Sequence, residues 1–412
     1  MTHVPSSPFL STAQRALLVA LTLVLLVLNT WAVYNVLTSR ASIVVWDFHT
    51  PWLGLRAMLR DGLNPYGEDV TLAIQQQRYG RPAYPDEDQL AFAYPLHIVT
   101  VVGPLALLPL PVAQALWFSL LEASLLIFFI VAPWSVGWRP PTWLLALTAV
   151  FILGLYPNVW AMILGQVSIV VAALVALAWW GLRTERWGLA GVCLALATIK
   201  PQMTFLLVPF LLIWSTNQRY WRLLLAFAAT FGAIVLLPLP WLPNWPLEWL
   251  ASLGRYAGYT VWDPPLVMLT GSAWLGGVIA VLLLAWTMYS WWHVRERQPA
   301  ALDWALAMVI VVSVLVAPRT SQANQLVLLL PLFFVFTRLN KTGSIAIVEI
   351  LLLVGLWLID YILLPPPNSP HHMIWQHRLI SPILPVGLTL ALLYLHPRRH
   401  KRELTQCKEP QL

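Results

Sequence analysis

ALLVALTLVLLVLNTWAVYNVL, residues 16–37, carries no charged side chain across 22 positions. A helix of about 20 apolar residues spans a bilayer, whereas the core of a signal peptide stops at about 15. No small-residue cleavage site follows the run, which is therefore expected to be a retained span. Runs of the same character recur along nearly the whole chain. The 412 residues are 59% hydrophobic and 10% charged, against roughly 25% charge for a soluble domain. A soluble protein of many buried helices would need more polar surface than this. The expected fold class is all-α: a polytopic membrane bundle of about 11–13 transmembrane helices with a long first extracytoplasmic loop.

The apolar runs place crossings at 16–37, 94–108, 112–133, 142–157, 163–181, 187–200, 201–214, 219–240, 271–292, 301–317, 323–337, 345–362 and 378–395. This divides the chain into a cytoplasmic N-terminal segment 1–15, a membrane domain 16–395 and a basic cytoplasmic tail 396–412. The turns GLRTERW (181–187), NQRYWR (217–222), HVRER (293–297), TRLNK (337–341) and HPRRHKR (396–402) are each two crossings apart, so one side can hold them all. By the positive-inside rule that side is the cytoplasm. The opposite face then receives IKPQ (199–202), the segment 238–265, APRTSQANQ (317–325), the loop 365–377 and the acidic first loop 38–93. An inside N-terminus and an inside turn at 183–186 require an even number of crossings between them, yet five are counted. Either 94–108 dips in without crossing, or two early segments form one span. Several runs are short and touch Pro or Gly, and broken helices persist in a membrane only around protein or a watery cavity. The irregular part is thus expected to surround a site.

Within the first loop, PWLGLRAMLRDG (51–62) sets Trp52, Leu55, Leu59 and Leu63 at helical spacing, with Arg56 and Arg60 on the other side. That pattern suits a helix lying along the membrane surface, as a lid over a lipid-accessible cavity or as a plain amphipathic linker. NPYG (64–67) ends it. Asp47 precedes this helix among Trp46, Phe48 and Trp52. It reads either as a helix cap or as a carboxylate base. Lys200, beside the helix-breaking Pro201, reads as a snorkelling lysine or as an exposed point charge for a lipid phosphate. Its turn lies away from the basic turns, which favours the second reading, and Arg319 shares that oddity. Glu122 and Glu349 fall inside apolar runs, where a site or a helix–helix hydrogen bond would explain them. His371 and His372 lie in a Pro-rich outer loop. No HExxH, GxxxxGK[ST] or placed GxGxxG occurs, so neither a metal nor a nucleotide cofactor is expected. Cys193 and Cys407 give no disulfide framework. The net charge of +7 sits mostly in short turns, which orients a chain in a membrane and does not call for nucleic acid.

WDFHTPWLGLRAMLRDGLNPYG (46–67), FAYPLHIVTVVGPLALLPLPVAQALWFSLLEA (92–123), GQVSIVVAALVALAWWGL (165–182) and AGVCLALATIKPQMTFLLVPFLL (190–212) come in that order. Together they resemble the polyprenol-phosphate-sugar-dependent glycosyltransferases of the GT-C superfamily. Within it they are most similar to DUF2029, or glycosyltransferase family 87, which includes mycobacterial mannosyltransferases. The resemblance rests on Asp47; on Gly62, Asn64, Pro65 and Tyr66; on Phe92, Tyr94 and Pro95; on Gly165 and Gln166; and on Ile199, Lys200 and Pro201. The chain departs from the pattern at Leu96, where a second Pro is usual, and at Ser168, where Asn is usual. Beyond residue 210 the likeness is mainly topological.

The resemblance implies an extracytoplasmic enzyme of a bacterial plasma membrane, acting by inverting single displacement. Its donor would be a polyprenyl-phosphate-linked sugar, mannose first, and its acceptor a lipid or glycan hydroxyl, with membrane lipids around both. Asp47 would be the base, Lys200 and Arg319 would bind the donor phosphate, and no second carboxylate nucleophile is needed. Asn64, Tyr66, Tyr94, Gln166, Trp262, Asp263, His371 and His372 would be substrate contacts, with Trp46 and Tyr259 as further aromatic candidates. Two other readings compete: a lipid-linked glycan polymerase or ligase taking a diphosphate-linked donor, and a membrane transporter, which broken helices and intramembrane carboxylates would also fit. A non-catalytic membrane scaffold would leave Asp47 and Lys200 without a role.

Overall fold

Long runs of Leu, Ala, Val and Trp leave the helix as the way to pair every backbone N–H internally, and the chain is all-α. The computed structural model describes residues 27–35, 46–85, 87–259, 264–294, 299–317, 320–339, 341–365 and 372–396. After a helical stretch at 27–35 come α1 (Trp46–Asp61), α2 (Glu68–Tyr79) and α3 (Val99–Ala106), the last led in by a 3-10 turn Leu96–Ile98. Then follow α4 (Leu110–Ser135), α5 (Thr142–Gly154), α6 (Tyr156–Leu164), α7 (Ser168–Arg183) and α8 (Trp187–Leu196), which tightens into a 3-10 turn Ala197–Ile199. Next are α9 (Pro201–Thr204), α10 (Leu207–Asn217), α11 (Trp221–Leu236), α12 (Trp245–Tyr259), α13 (Pro265–Thr270), α14 (Ala273–Val294) and α15 (Pro299–Val316). The chain closes with a 3-10 helix Gln322–Leu328 and with α16 (Leu329–Phe336), α17 (Thr342–Leu363), α18 (His372–Leu379) and α19 (Ile383–Tyr394).

Among the described residues, three helices are long and apolar enough to cross a membrane: Leu110–Ser135, Ala273–Trp292 and Thr342–Leu363. The pair α5–α6, bent by 49°, makes a fourth if it is one span. The other apolar helices are shorter, 10–17 residues. These apolar spans are those of a membrane protein. Polar side chains inside the apolar runs join helices. Asn29 donates to Glu122 and Thr30 meets Ser119 at 2.7 Å, docking 27–35 on α4. Thr148 donates to Glu349 at 2.8 Å, docking α5 on α17. The helix–helix alternative for both glutamates is the one the structure bears out.

Two readings of the early chain are corrected. The run 94–108 holds helical pieces of only three and eight residues. At 1.5 Å per residue they cover about half of a roughly 30 Å hydrocarbon core. The break after 142 also falls earlier than the sequence implies, at Leu155, because Pro157 sits in the first turn of the new helix. Nor does α1 lie with a lipid-facing apolar stripe. Leu55 and Met58 are fully buried while Leu63 is exposed. Arg56 donates to the carbonyls of Ala106 and Leu108 at 3.1 and 3.2 Å, and Arg60 to that of Leu107 at 2.6 Å. Trp52 donates to the Leu105 carbonyl at 3.1 Å. The two arginines cap the C-terminal carbonyls of α3, where cations are favoured, Arg56 from a half-buried position and Arg60 from an exposed one.

The bundle has two chemically distinct ends. At one, Arg183 pairs with Asp303 at 2.9 Å and Trp138 stacks on Phe333 at 5.1 Å. Trp187 stacks on Tyr220 at 3.8 Å, and His396 meets Trp304 at 4.8 Å. These contacts involve the basic turns 181–187 and 217–222 and His396. At the other end, Ser168 donates to the Ala323 carbonyl at 2.6 Å, Tyr156 to Asp360 at 2.7 Å, and Gln325 to the Ser381 carbonyl at 2.6 Å. There the helix breaks and the first loop meet.

Candidate active site

The polar end is built from three local breaks in helical structure. Gly165 ends α6 in the left-handed region, φ +68°, which a glycine enters without steric cost. Its N–H returns to the Met162 carbonyl at 3.0 Å, and that of Gln166 to Ala161 at 2.9 Å. This turn throws Gln166 off the helix axis, and Trp117 holds the Gly165 carbonyl at 2.8 Å. Lys200 leaves the helix at φ −128°, ψ 80°, because a residue before proline is pushed out of the α region, while Pro201 opens α9. Asp47 stands in the first turn of α1, where a negative charge complements the helix dipole.

These three segments meet. The Gln166 amide nitrogen donates to Asp47 Oδ2, and the Gln166 carbonyl oxygen accepts from Lys200 Nζ. The amide orientation is fixed by its neighbours, since a carboxylate only accepts and an ammonium only donates. Gln166 therefore stands between acid and base and keeps them from closing into a direct salt bridge. Phe48, next to Asp47, stacks on Trp117 at 5.0 Å, so the residue holding Gly165 also seats α1. The Tyr94 hydroxyl lies within electrostatic reach of Asp47. Burial pushes the Asp47 carboxyl up to about 6, against the opposing charge of Lys200 and the Gln166 hydrogen bond. Asp88, which caps the Leu90 N–H at 2.9 Å, adds to the upward push.

Lys200 is buried, which corrects the expectation of an exposed lysine; its ammonium is held inside the site and does not snorkel. Asp47 is half-buried and bonded across to Gln166, not only placed at a helix start. Asn64 and Tyr66 lie one layer behind. Asn64 Oδ1 accepts from the Tyr66 N–H at 2.9 Å, making the NPYG turn, and the Tyr66 hydroxyl donates to the Tyr94 carbonyl at 2.8 Å. α12 lies over this layer: Arg255 donates to the Tyr66 carbonyl at 3.0 Å and Trp249 to the Ala93 carbonyl at 3.1 Å. Arg319, Trp262, Asp263 and His371 lie outside the described residues, and the side chains of His372, Trp46 and Tyr259 do as well.

Sequence reasoning missed a second polar group at this end. Tyr156, Asp360, Gln376, Gln322, Asn324 and Gln325 come together from α6, α17, α18 and the 3-10 helix. The available signal was TSQANQ (320–325), a polar stretch between two apolar runs.

The chain matches the profile of Glycosyltransferase family 87 over residues 92–318, more than half its length. Gln166 and Lys200 lie inside the matched region and Asp47 before it. The match reaches well past residue 210, where the sequence alone offered mainly a likeness of topology. No curated protein and no solved structure matches the chain.

Proposed function

Because the chain belongs to glycosyltransferase family 87, we propose that it transfers a hexose, mannose first, from a polyprenyl-phosphate donor to a hydroxyl of a lipid or glycan acceptor. The reading places this reaction at the outer face of a bacterial plasma membrane. The observation that supports it is the Asp47–Gln166–Lys200 chain of hydrogen bonds, with one acid, one cation and a neutral spacer at the broken end of the bundle.

In this reading the acceptor hydroxyl gives its proton to an Asp47 oxygen as its own oxygen bonds to the anomeric carbon. The bond from that carbon to the phosphate oxygen breaks, and polyprenyl phosphate leaves with the electron pair. One displacement inverts the anomeric centre, so a single base suffices. Lys200 meets the charge growing on the leaving phosphate: one ammonium hydrogen is spent on Gln166, and others stay available to phosphate oxygens. Gln166 aligns the two groups, and misalignment by about 1 Å is enough to cost a large factor in rate.

The test is incubation of the purified protein with a panel of polyprenyl-phosphate hexoses and measurement of lipid-phosphate release, together with equilibrium donor binding to Lys200→Ala and Lys200→Arg. The expected result is release from one panel member, donor binding at least tenfold weaker in the Ala variant, and partial retention in Arg, because positive charge is what phosphate requires. Silence across the panel overturns the reaction. Wild-type donor affinity in Lys200→Ala removes Lys200 from the phosphate site.

A further inference from the structure

The 3-10 helix Gln322–Leu328 presents an unusual group of atoms. Gln322 Oε1, Asn324 Oδ1 and Gln325 Oε1 are buried side-chain carbonyl oxygens without a hydrogen-bond partner among the described residues. A buried acceptor left unpaired costs about 1–3 kcal/mol, so three on four consecutive residues call for something that fills them. Their amide nitrogens are spent on the protein. Gln325 donates to the Ser381 carbonyl at 2.6 Å, Asn324 to the Thr320 hydroxyl at 3.1 Å, and Gln322 to Gln376 Oε1 at 3.3 Å.

Partner logic fixes two of these orientations. The Ser381 carbonyl only accepts, so Gln325 must face it with nitrogen and turn its oxygen away. Asp360 takes a hydrogen bond from the Gln376 nitrogen at 3.1 Å, so Gln376 shows its oxygen to Gln322, which must answer with nitrogen. The oxygens of Gln322 and Gln325 are thus fixed as neutral acceptors, and Asn324 Oδ1 joins them with its nitrogen on the Thr320 hydroxyl. An anion is met there by oxygens, and the hard divalent cations draw on carboxylates, whereas the neighbouring Asp360 is engaged by Tyr156 and Gln376. A neutral ligand rich in O–H donors fits. Ser168, two residues past Gln166, donates to the Ala323 carbonyl inside this same helix and ties it to the Asp47–Gln166–Lys200 chain.

We propose that Gln322, Asn324 and Gln325 form a hydroxyl-reading subsite for the glycosyl unit that lies beside Gln166, whether it belongs to the donor or the acceptor. The proposal rests on the glycosyltransferase reading for its substrate, and its test keeps the two apart. Wild type, Gln322→Met and Gln325→Met are compared with donors and acceptors in which single ring hydroxyls are replaced by hydrogen or fluorine. Fluorine accepts hydrogen bonds but donates none, so both replacements should lower kcat/KM by about tenfold or more per hydroxyl read. In the Met variants that penalty should vanish. A penalty confined to the donor series assigns the subsite to the donor sugar; one confined to the acceptor series assigns it to the acceptor.

Binding without turnover is read separately, as the rise in thermal midpoint given by methyl hexopyranosides to wild type and its loss in the Met variants. This readout decides the subsite even if no donor is turned over, in which case the glycosyltransferase reading alone falls. Should Gln325→Met fail to fold, Gln322→Met carries both measurements, because it gives up only one long hydrogen bond. Unchanged hydroxyl dependence and unchanged midpoint shifts in the Met variants overturn the proposal and leave the three oxygens to water. An activity that depends on a monovalent cation, with the dependence lost in the same variants, overturns it in favour of a cation site.

Discussion

At the scale of residues, Asp47 is the most exacting test. Asp47→Asn keeps an acceptor oxygen for the Gln166 amide and removes the basicity. General-base help is worth about 10²–10⁴ in rate, so turnover at saturating donor and acceptor should fall by that factor while donor affinity and thermal midpoint hold. A helix cap, by contrast, exchanges Asp for Asn almost without cost. The pH profile supplies an independent sign. Burial lifts the Asp47 carboxyl to about 6, so the base form is lost as pH drops through that value. The wild-type kcat/KM should fall about tenfold per unit as pH drops below about 6, and that limb should be missing in Asp47→Asn. A limb near 4, where an ordinary aspartate titrates, would mean that the buried carboxyl is not the group the reaction uses. Asp47 and Lys200 were legible in the sequence as odd polar residues beside breaks in apolar runs, and Gln166 only through the resemblance, as a substrate contact. Their order across the site was not, because Gln166 reaches both partners only once three distant segments are folded together.

Single helices carry a different kind of information. Proline and glycine at 201 and 165 announce their breaks in the sequence, and the structure uses both breaks to present side chains. The roles of Arg56 and Arg60 were not readable, because hydropathy separates polar from apolar faces and is blind to carbonyls left over at the end of another helix. Close packing is equally hidden. A Cβ on Gly191 would stand 2.4 Å from the Leu223 carbonyl oxygen and 2.9 Å from the Phe227 nitrogen, both backbone atoms of α11, whereas one on Gly188 meets nothing within 4 Å. Gly191→Ala should therefore force α8 from α11 and lower the thermal midpoint, by an amount matching the 1–3 kcal/mol typical of overpacking. Gly188→Ala, three residues earlier on the same helix, should be neutral or slightly stabilising, since alanine is the better helix former. Because α8 ends in the turn that carries Lys200, Gly191→Ala should also weaken donor binding. Equal midpoints for the two variants would show that the α8–α11 contact yields without cost.

The whole molecule bears on a parity that the apolar runs left open. If 94–108 dips in without crossing, four passes separate the N-terminus from the turn at 183–186: 16–37, α4, the bent pair α5–α6, and α7. An inside N-terminus then puts that turn inside, and α8, α10, α11, α14, α15, the 3-10 helix with α16, α17 and α19 continue the alternation to a cytoplasmic tail. We propose twelve passes on this alternation; among the described residues three helices, or four with the bent pair, are long and apolar enough to cross by themselves. The contacts between ends agree, because Arg139 lies within electrostatic reach of Arg183, and Arg183 pairs with Asp303. The turn 136–141 thus sits with the basic turns and away from Gln166. From the asymmetry of Lys and Arg we propose that this end faces the cytoplasm. Single cysteines placed in intact cells at Arg139, Glu185, Tyr84 and Asn244, in a Cys193→Ala, Cys407→Ser background, separate the alternatives. An impermeant thiol reagent should label positions 84 and 244 and spare 139 and 185 until the membrane is opened. Labelling at 139 with 185 still protected would break the alternation at α5–α6. It would also place the Arg139 and Arg183 turns on opposite faces, which their proximity in the fold forbids.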